Sequence, residues 1–447
     1  MNRIADIAAT LAGYDPDAMN VDEVRTFLEE LIGDRSVSAA EELPLREALG
    51  RILADDVICP VDVPPHDNAA MDGYAFHGVA LSVAGDVQLR VVGTALAGTA
   101  WQGTVGVGEA VRITTGAVMP HGLDTVVPKE FCVVEGGGVR FPASALRCGA
   151  NRRLAGEDLK AGTPALARGS PIGPAALGLL ASLGLTTLPV LRCLRVAYFS
   201  TGDEIMSPGD APREGAVYDS NRYTVFGLLT RLGCEIVDIG KVRDDPAALV
   251  AALKIAALTA DAIVTSGGVS AGEADHTREA MQRVGDMAFW RVAMRPGRPM
   301  AVGLVSRPGH ESNDCNDSDD AAGAAVLFGL PGNPVATMVT FLAFVRPALL
   351  QLMGCNAASR RPSPMLRARS VVAIGKRPGR TEYQRGFVSA ASVGSPDGLP
   401  EVRIAGNQGS GVLSSMVEAN GLVVLGHAQG DVAAGETVDV LMFDGVI

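Results

Sequence analysis

Arg195-Val-Ala-Tyr-Phe199 is a short apolar run that ends in Ser200-Thr-Gly-Asp-Glu204, and a helical pattern over 221–232 follows it and stops at Gly233. The unit recurs. A run over 235–242 leads through Arg243-Asp-Asp245 into a helix over 246–259. A third run, 261–265, leads through Ser266-Gly-Gly-Val-Ser-Ala-Gly-Glu-Ala-Asp275 into a helix over 277–284. Further strands read over 289–293 and 325–328, and Pro331-Gly-Asn-Pro334 opens a last helix to 353. Strands alternating with helices at this spacing predict a mostly parallel, doubly wound α/β sheet, because parallel neighbours need a covering crossover.

The flanks read differently. Asn20-x-x-Glu23 is a capping box ahead of Val21, Val24, Phe27, Leu28, Leu31 and Ile32 at helical spacing, with Gly33 as the stop. A second amphipathic helix is expected over Leu45, Ala48, Leu49, Ile52 and Leu53. Between 57 and 141, short β-type runs are broken by Gly and Pro, and Glu135-Gly-Gly-Gly138 reads as a hairpin turn. A helix begins at Pro174 and is capped at Gly184, and the last ~90 residues return to short strands and turns. The expected order is an N-terminal helical segment (1–28), a discontinuous mixed linker domain (29–56 and 147–188) and a small β domain (57–146). The doubly wound domain (189–354) and a C-terminal β-barrel domain (355–447) complete it.

Composition narrows the classes. Of 447 residues 47% are apolar and 20% charged, which excludes an intrinsically disordered chain. The net charge of −12 repels polyanions, so neither a nucleic-acid binder nor a binder of anionic membranes is expected, and an anionic ligand must be held by local groups. No secretory signal or membrane span is read in the chain. The seven cysteines (59, 132, 148, 193, 234, 315, 355) contain no Cys-x-x-Cys pair and the six histidines no ligand spacing, so a reducing cytoplasm is expected.

Ligands of doubly wound sheets sit outside the carboxyl ends of the strands. Four polar loops fall there. Gly267-Gly268-x-Ser270 is either a tight turn or a cradle of N–H groups for a phosphate. Glu204, Asp244 and Asp275 are hard oxygen donors suited to Mg²⁺, whereas Asp245, just before Pro246, reads as a helix cap. His276 reads as a packing residue. Arg291-x-x-x-Arg295-Pro-Gly-Arg298 can neutralise an oxyanion or simply face solvent. Asp67 and Asp72 in the string 64–75 and Thr115 in 112–120 are either loop chemistry or presented side chains. The acidic, aperiodic stretch 307–324 reads as a surface insertion.

Taken in order, AAMDGYA behind Asp67, RITTGAVMP, RRLAGEDLKAG, FSTGDE, VYDSNR, VTSGGVSAGEAD, RPGRP, GLPGNP and NQGSGVLSSM resemble the MoeA family of molybdopterin molybdenumtransferases, which includes the gephyrin E domain. The resemblance covers nearly the whole chain. It implies a four-domain subunit in an elongated homodimer that inserts molybdenum from molybdate into adenylylated molybdopterin, with Mg²⁺-dependent release of AMP. A molybdopterin adenylyltransferase would supply the substrate, and molybdoenzymes or their chaperones would take the product. By the same resemblance Asp67, Thr115, Asp158, Glu204, Asp244 and Asp275 are the catalytic positions, the last three with the metal. Gly267, Gly268, Ser270, Arg291, Arg295, Arg298, Pro331, Asn333, Pro334 and Ser410 are the substrate positions. Three departures stand out. Ala69 replaces the family's serine, Arg295 and Arg298 replace lysines, and the 307–324 insertion precedes the PGNP strand. A receptor-binding scaffold and a nucleotide pyrophosphatase are the rival readings; AMP release without molybdate would mark the second.

Overall fold

The computed structural model describes residues 3–11, 13–82, 84–268, 274–307, 323–391 and 398–446, the side chains of 274–277 excepted. Helix α1 (Val21–Ile32) starts at the expected capping box. The Asn20 side chain accepts from the Asp22 and Glu23 amides, and Glu23 accepts from the Asn20 amide. Part of its apolar face meets the N-terminal segment, where Tyr14 stacks on Phe27. Phe27 meets Trp290 edge-on, with ring centroids 4.9 Å apart, so the helix joins the core of the doubly wound domain.

The small β domain is a six-stranded sheet of β1 (Gly73–Phe76), β2 (Asp86–Ala95), β3 (Glu109–Ile113), β4 (Thr125–Pro128), β5 (Val133–Glu135) and β6 (Gly138–Pro142), in the order β4-β1-β3-β2-β6-β5. The expected hairpin turn is present, with Gly136 and Gly137 at positive φ between β5 and β6. Gly73 is needed where it stands, since a Cβ there would lie 1.8 Å from the Val127 carbonyl oxygen.

The linker domain has its own core, from Ala48, Leu53, Val57 and Cys59 to Ile172, Leu180 and Val190. Its packing therefore takes in Val57 and Cys59 from the expected β domain, while Arg152 and Arg153 pair with Ala69 and Asn68. The second amphipathic helix does not form. Leu45–Ala48 make a single 3₁₀ turn, Gly50 takes φ +79°, and Ile52 and Leu53 bridge to Pro171 and Val190. A left-handed glycine after one turn ends a helix that apolar spacing alone would continue.

The doubly wound domain contains β7 (Arg195–Thr201), β8 (Glu235–Val242), β9 (Ala262–Ser266), β10 (Gly285–Arg291), β11 (Pro299–Ser306) and β12 (Ala324–Leu330), in the order β8-β7-β9-β12-β11-β10. Helices α2 (Ser220–Leu232), α3 (Pro246–Thr259), α4 (Ala274–Gln282) and α5 (Pro334–Thr340) accompany it. β8, β7, β9 and β12 are parallel, and β11 runs against both β12 and β10. β11 is an apolar run that the sequence reading does not separate from its neighbours. Because it reverses once, the carboxyl end of β10 returns to the same edge as that of β12. One face of the sheet packs on α3, the other on α1, α2 and the 334–352 helix. That 19-residue helix is long and apolar enough to cross a membrane, yet it is mostly buried within the protein.

Beyond it, β13 (Leu366–Ser370), β14 (Thr381–Ser389), β15 (Glu401–Ile404), β16 (Gly421–Leu425) and β17 (Thr437–Met442) follow one another as β14-β15-β13-β17-β16, and β16 pairs back to β14. The sheet is a closed small barrel. Closure removes the exposed strand edges that a sheet this small would otherwise present.

Candidate functional site

Two constellations hold the expected residues. The first lies on the β domain. The loop after β3 is zipped to the string before β1: the amide of Ala69 donates to Ala117, that of Gly116 to Ala69 and that of Met119 to Asp67. Thr115 is thereby fixed at the exposed rim, where its amide and hydroxyl both donate to Asp72, each at 2.9 Å. Asp67 accepts from the Ala155 amide at 2.8 Å and lies 3.5 Å from Arg152. This draws in the 152–158 loop, whose Asp158 carboxylate is exposed. Asp67, Thr115 and the segment bearing Asp158 therefore share one rim. Ala69 is buried in the core beneath it, where a methyl group suits its neighbours.

The second constellation occupies the carboxyl edge of the doubly wound sheet. Gly267 follows β9 at φ +89°, and a Cβ there would come within 2.5 Å of the Thr201 carbonyl oxygen at the end of β7. Only glycine lets the two strand ends approach so closely. The Gly267 amide donates to Leu330, and Asn221 on α2 donates to the Gly332 carbonyl at 2.7 Å, so the Gly-Gly and Pro331–Pro334 loops lie side by side. Beneath them Tyr198 and Ser266 share a 2.6 Å hydrogen bond, and Ser200 donates to Asp219, the cap of α2. Burial pushes the Tyr198 phenol well above its ordinary value, so it stays a neutral hydrogen-bonding group. The side-chain oxygens of Thr201 and Asn221 are buried and have no hydrogen-bond partner among the described residues.

Glu204 and Asp244 are both exposed at this edge, whereas Asp245 caps α3 by accepting from the Ala248 amide at 2.8 Å. Ser270 and the side chains of Asp275 and His276 lie outside the described residues, as does 308–322 of the insertion. Among the described residues no three His, Cys, Asp or Glu side chains converge as a metal cluster. The carboxylates are nonetheless hard oxygen donors of the type Mg²⁺ takes alongside phosphate.

The connection between β10 and β11 supplies positive charge. Met294 and Arg295 pair with Thr381 and Glu382 of the barrel, so the Arg291–Arg298 turn is pinned between two domains. Arg291 lies 3.7 Å from Asp17 and is partly neutralised. Arg295 and Arg298 are exposed, and among the described residues neither has an acidic partner. Arg385 on β14 was not singled out from the sequence. It is 1% exposed, donating to the Ser415 hydroxyl and to the carbonyls of Asn407 and Gly409. None of these partners carries a charge. Burial, and then Arg295 nearby, press its guanidinium below the usual range. Gln408 clasps the Arg385 backbone in both directions, which presents Ser410, whose carbonyl accepts from the Val335 amide at 3.1 Å. Arg295, Arg385, Ser410 and the 331–334 loop are thus one assembly from four stretches of chain. The only sequence sign of Arg385 is a basic residue in a β-type run that also carries Glu382.

Among the described residues no hydrogen bond or ion pair links 57–146 to 195–354, and their cores are separate.

The fold and its edge define a class: a multidomain α/β protein with polar and basic loops at the carboxyl edge of a doubly wound sheet, next to a closed barrel. Three family descriptions match in series: "MoeA N-terminal region (domain I and II)" over 19–184, "Probable molybdopterin binding domain" over 197–351 and "MoeA C-terminal region (domain IV)" over 367–443. The chain is 38% identical over 408 residues to the molybdopterin molybdenumtransferase of Haemophilus influenzae, covering 91% of this chain and 95% of that one. It is 37% identical over 413 residues to molybdopterin molybdenumtransferase 2 of Mycobacterium tuberculosis, covering 89% and 94%. Among solved structures, the molybdopterin biosynthesis MoeA protein from Pyrococcus horikosii aligns with a TM-score of 0.69 at 27% identity, over 96% of this chain and 100% of that one. The chain belongs to the MoeA family of molybdopterin molybdenumtransferases.

Proposed function

We propose that this chain is a transferase of molybdenum cofactor biosynthesis, inserting molybdenum from molybdate into adenylylated molybdopterin with release of AMP. The observation that carries the reading is the Arg295–Arg385–Ser410–Pro331 assembly. It sets guanidinium groups that have no acidic partner among the described residues beside a glycine loop in a chain whose net charge is negative. Both reactants are anions, so the charge to receive them has to be local. Arg295 and Arg298 take the molybdate oxygens, with a planar fork where lysine would offer a compact ammonium. Amides of the Gly267–Gly268 turn hold phosphate oxygens. Glu204, Asp244 and Asp275 would hold Mg²⁺, which supplies charge neutralisation on the pyrophosphate when bound.

The separation of the two constellations supports a homodimer in which the Asp67–Thr115 rim of one subunit faces the sheet edge of its partner. By the same reading a molybdopterin adenylyltransferase supplies the substrate, molybdoenzymes or their chaperones accept the product, and the work is done in the cytoplasm.

The test mixes purified protein with adenylylated molybdopterin, Mg²⁺ and molybdate and follows AMP and metallated cofactor together. Equal yields of both, each dependent on molybdate, are expected. AMP released at full rate without molybdate would make the protein a pyrophosphatase and overturn the reading.

A further inference from the structure

Asp72 enters none of the roles assigned so far, yet it is the group to which Thr115 is tied. Its main chain is fixed twice. The Lys129 amide donates to its carbonyl at 3.1 Å, and Gly73 beside it is wedged against the Val127 carbonyl with no room for a side chain. From that anchored position one carboxylate oxygen accepts both the amide and the hydroxyl of Thr115, each at 2.9 Å, and the other accepts from Lys129 at 3.2 Å. The Thr115 amide and hydroxyl, with Lys129, hold the carboxyl at about 2, so it is ionised throughout the working range of an enzyme.

An ionised carboxylate only accepts, whereas a threonine hydroxyl has one proton and two lone pairs. With that proton committed to Asp72, the exposed side of the Thr115 oxygen offers lone pairs alone. A phosphate or molybdate oxygen brought against it would meet acceptor against acceptor. An N–H or O–H group would complete the chain Asp72–Thr115–ligand, each link strengthened by the charge at its end.

We propose that Asp72 is a positioning residue that fixes Thr115 as a hydrogen-bond acceptor for an N–H or O–H donor of the organic substrate, and that Thr115 does not contact the oxyanion. The assignment deepens the function proposed above and rests on it. The donor is either a ring N–H of the pterin or a hydroxyl of the nucleotide ribose, and the two are separable by ligand.

The test measures equilibrium binding of molybdopterin and of adenylylated molybdopterin, and the KM for molybdate, with thermal melting as a folding control. Asp72→Ala and Thr115→Val each weaken binding of the organic substrate ~10-fold, the worth of one hydrogen bond, and leave the molybdate KM within about threefold. The double variant is no weaker than either single one, since both break the same link. Asp72→Asn keeps an acceptor and Thr115→Ser keeps a hydroxyl, so both restore binding to within about threefold of wild type. A loss seen with both ligands identifies the pterin, and a loss seen only with the adenylylated form identifies the ribose. A rise in the molybdate KM with organic binding unchanged would overturn the assignment. So would additive losses, or Asp72→Ala binding like wild type. Wild-type protein that binds neither organic ligand would overturn the reading of the whole site, and this assignment with it.

Discussion

Arg295 and Arg385 act on the same assembly by different means, and substitution separates them. Arg295 is exposed and without an acidic partner among the described residues, so Arg295→Ala removes charge while disturbing little packing. The molybdate KM should rise at least ~10-fold, with melting unchanged. Arg385 is buried with three neutral acceptors, and Arg385→Ala strands the carbonyls of Asn407 and Gly409. A loss of about 3 kcal/mol in urea unfolding is expected, because buried acceptors left unmade cost their full desolvation. Asp72 gives a pH test. Its carboxyl is depressed from 3.8 to about 2, so its hold on Thr115 is complete above the ordinary value and is lost as pH falls through about 2. The Thr115 amide resonance should titrate with that low midpoint. A midpoint near 4 would show that the clasp does not form in solution.

Strand ends and helix starts explain why adjacent carboxylates differ. Asp245 precedes Pro246 and caps α3, so its carboxylate is committed to the Ala248 amide, while Asp244 is exposed one residue earlier. Asp245→Ala should cost about 1 kcal/mol of stability and leave turnover nearly intact. Asp244→Ala should do the reverse, lowering turnover with urea unfolding unchanged. Equal effects on both measurements would mean the division between cap and site is wrong. The α1 capping box and the β5–β6 glycine turn are legible for the same reason as the Asp245 cap: each is completed by residues three or four apart. The helix expected over 45–53 fails because Gly50 takes a left-handed conformation and Ile52 and Leu53 find partners more than 110 residues away. Apolar spacing does not separate a helix face from two bridge residues.

At the scale of the molecule, no hydrogen bond or ion pair among the described residues joins the two half-sites within the subunit, and the dimer proposed above would pair them across subunits. Mixing Asp67→Ala protein with Asp275→Ala protein should therefore restore part of the activity through mixed dimers, each carrying one intact pair of half-sites. Subunit exchange shown by mass with no recovery would place both residues in one subunit's site. The amino-acid sequence by itself determined the α/β alternation, the glycine turns at the strand ends and the family, because each depends on residues close together or on motifs kept in order. It did not show that β11 reverses the sheet and so returns Arg291–Arg298 to the edge holding the Gly267 and Pro331 loops. Nor did it show that Arg385 lies beside Arg295, or that Asp72 takes the Thr115 proton. Those pairings span 43 to 90 positions and carry no local period. Only tertiary packing, which buries Arg385 and ties Asp72 to Thr115 beyond β3 and to Lys129 beyond β4, sets what each of these groups can bind.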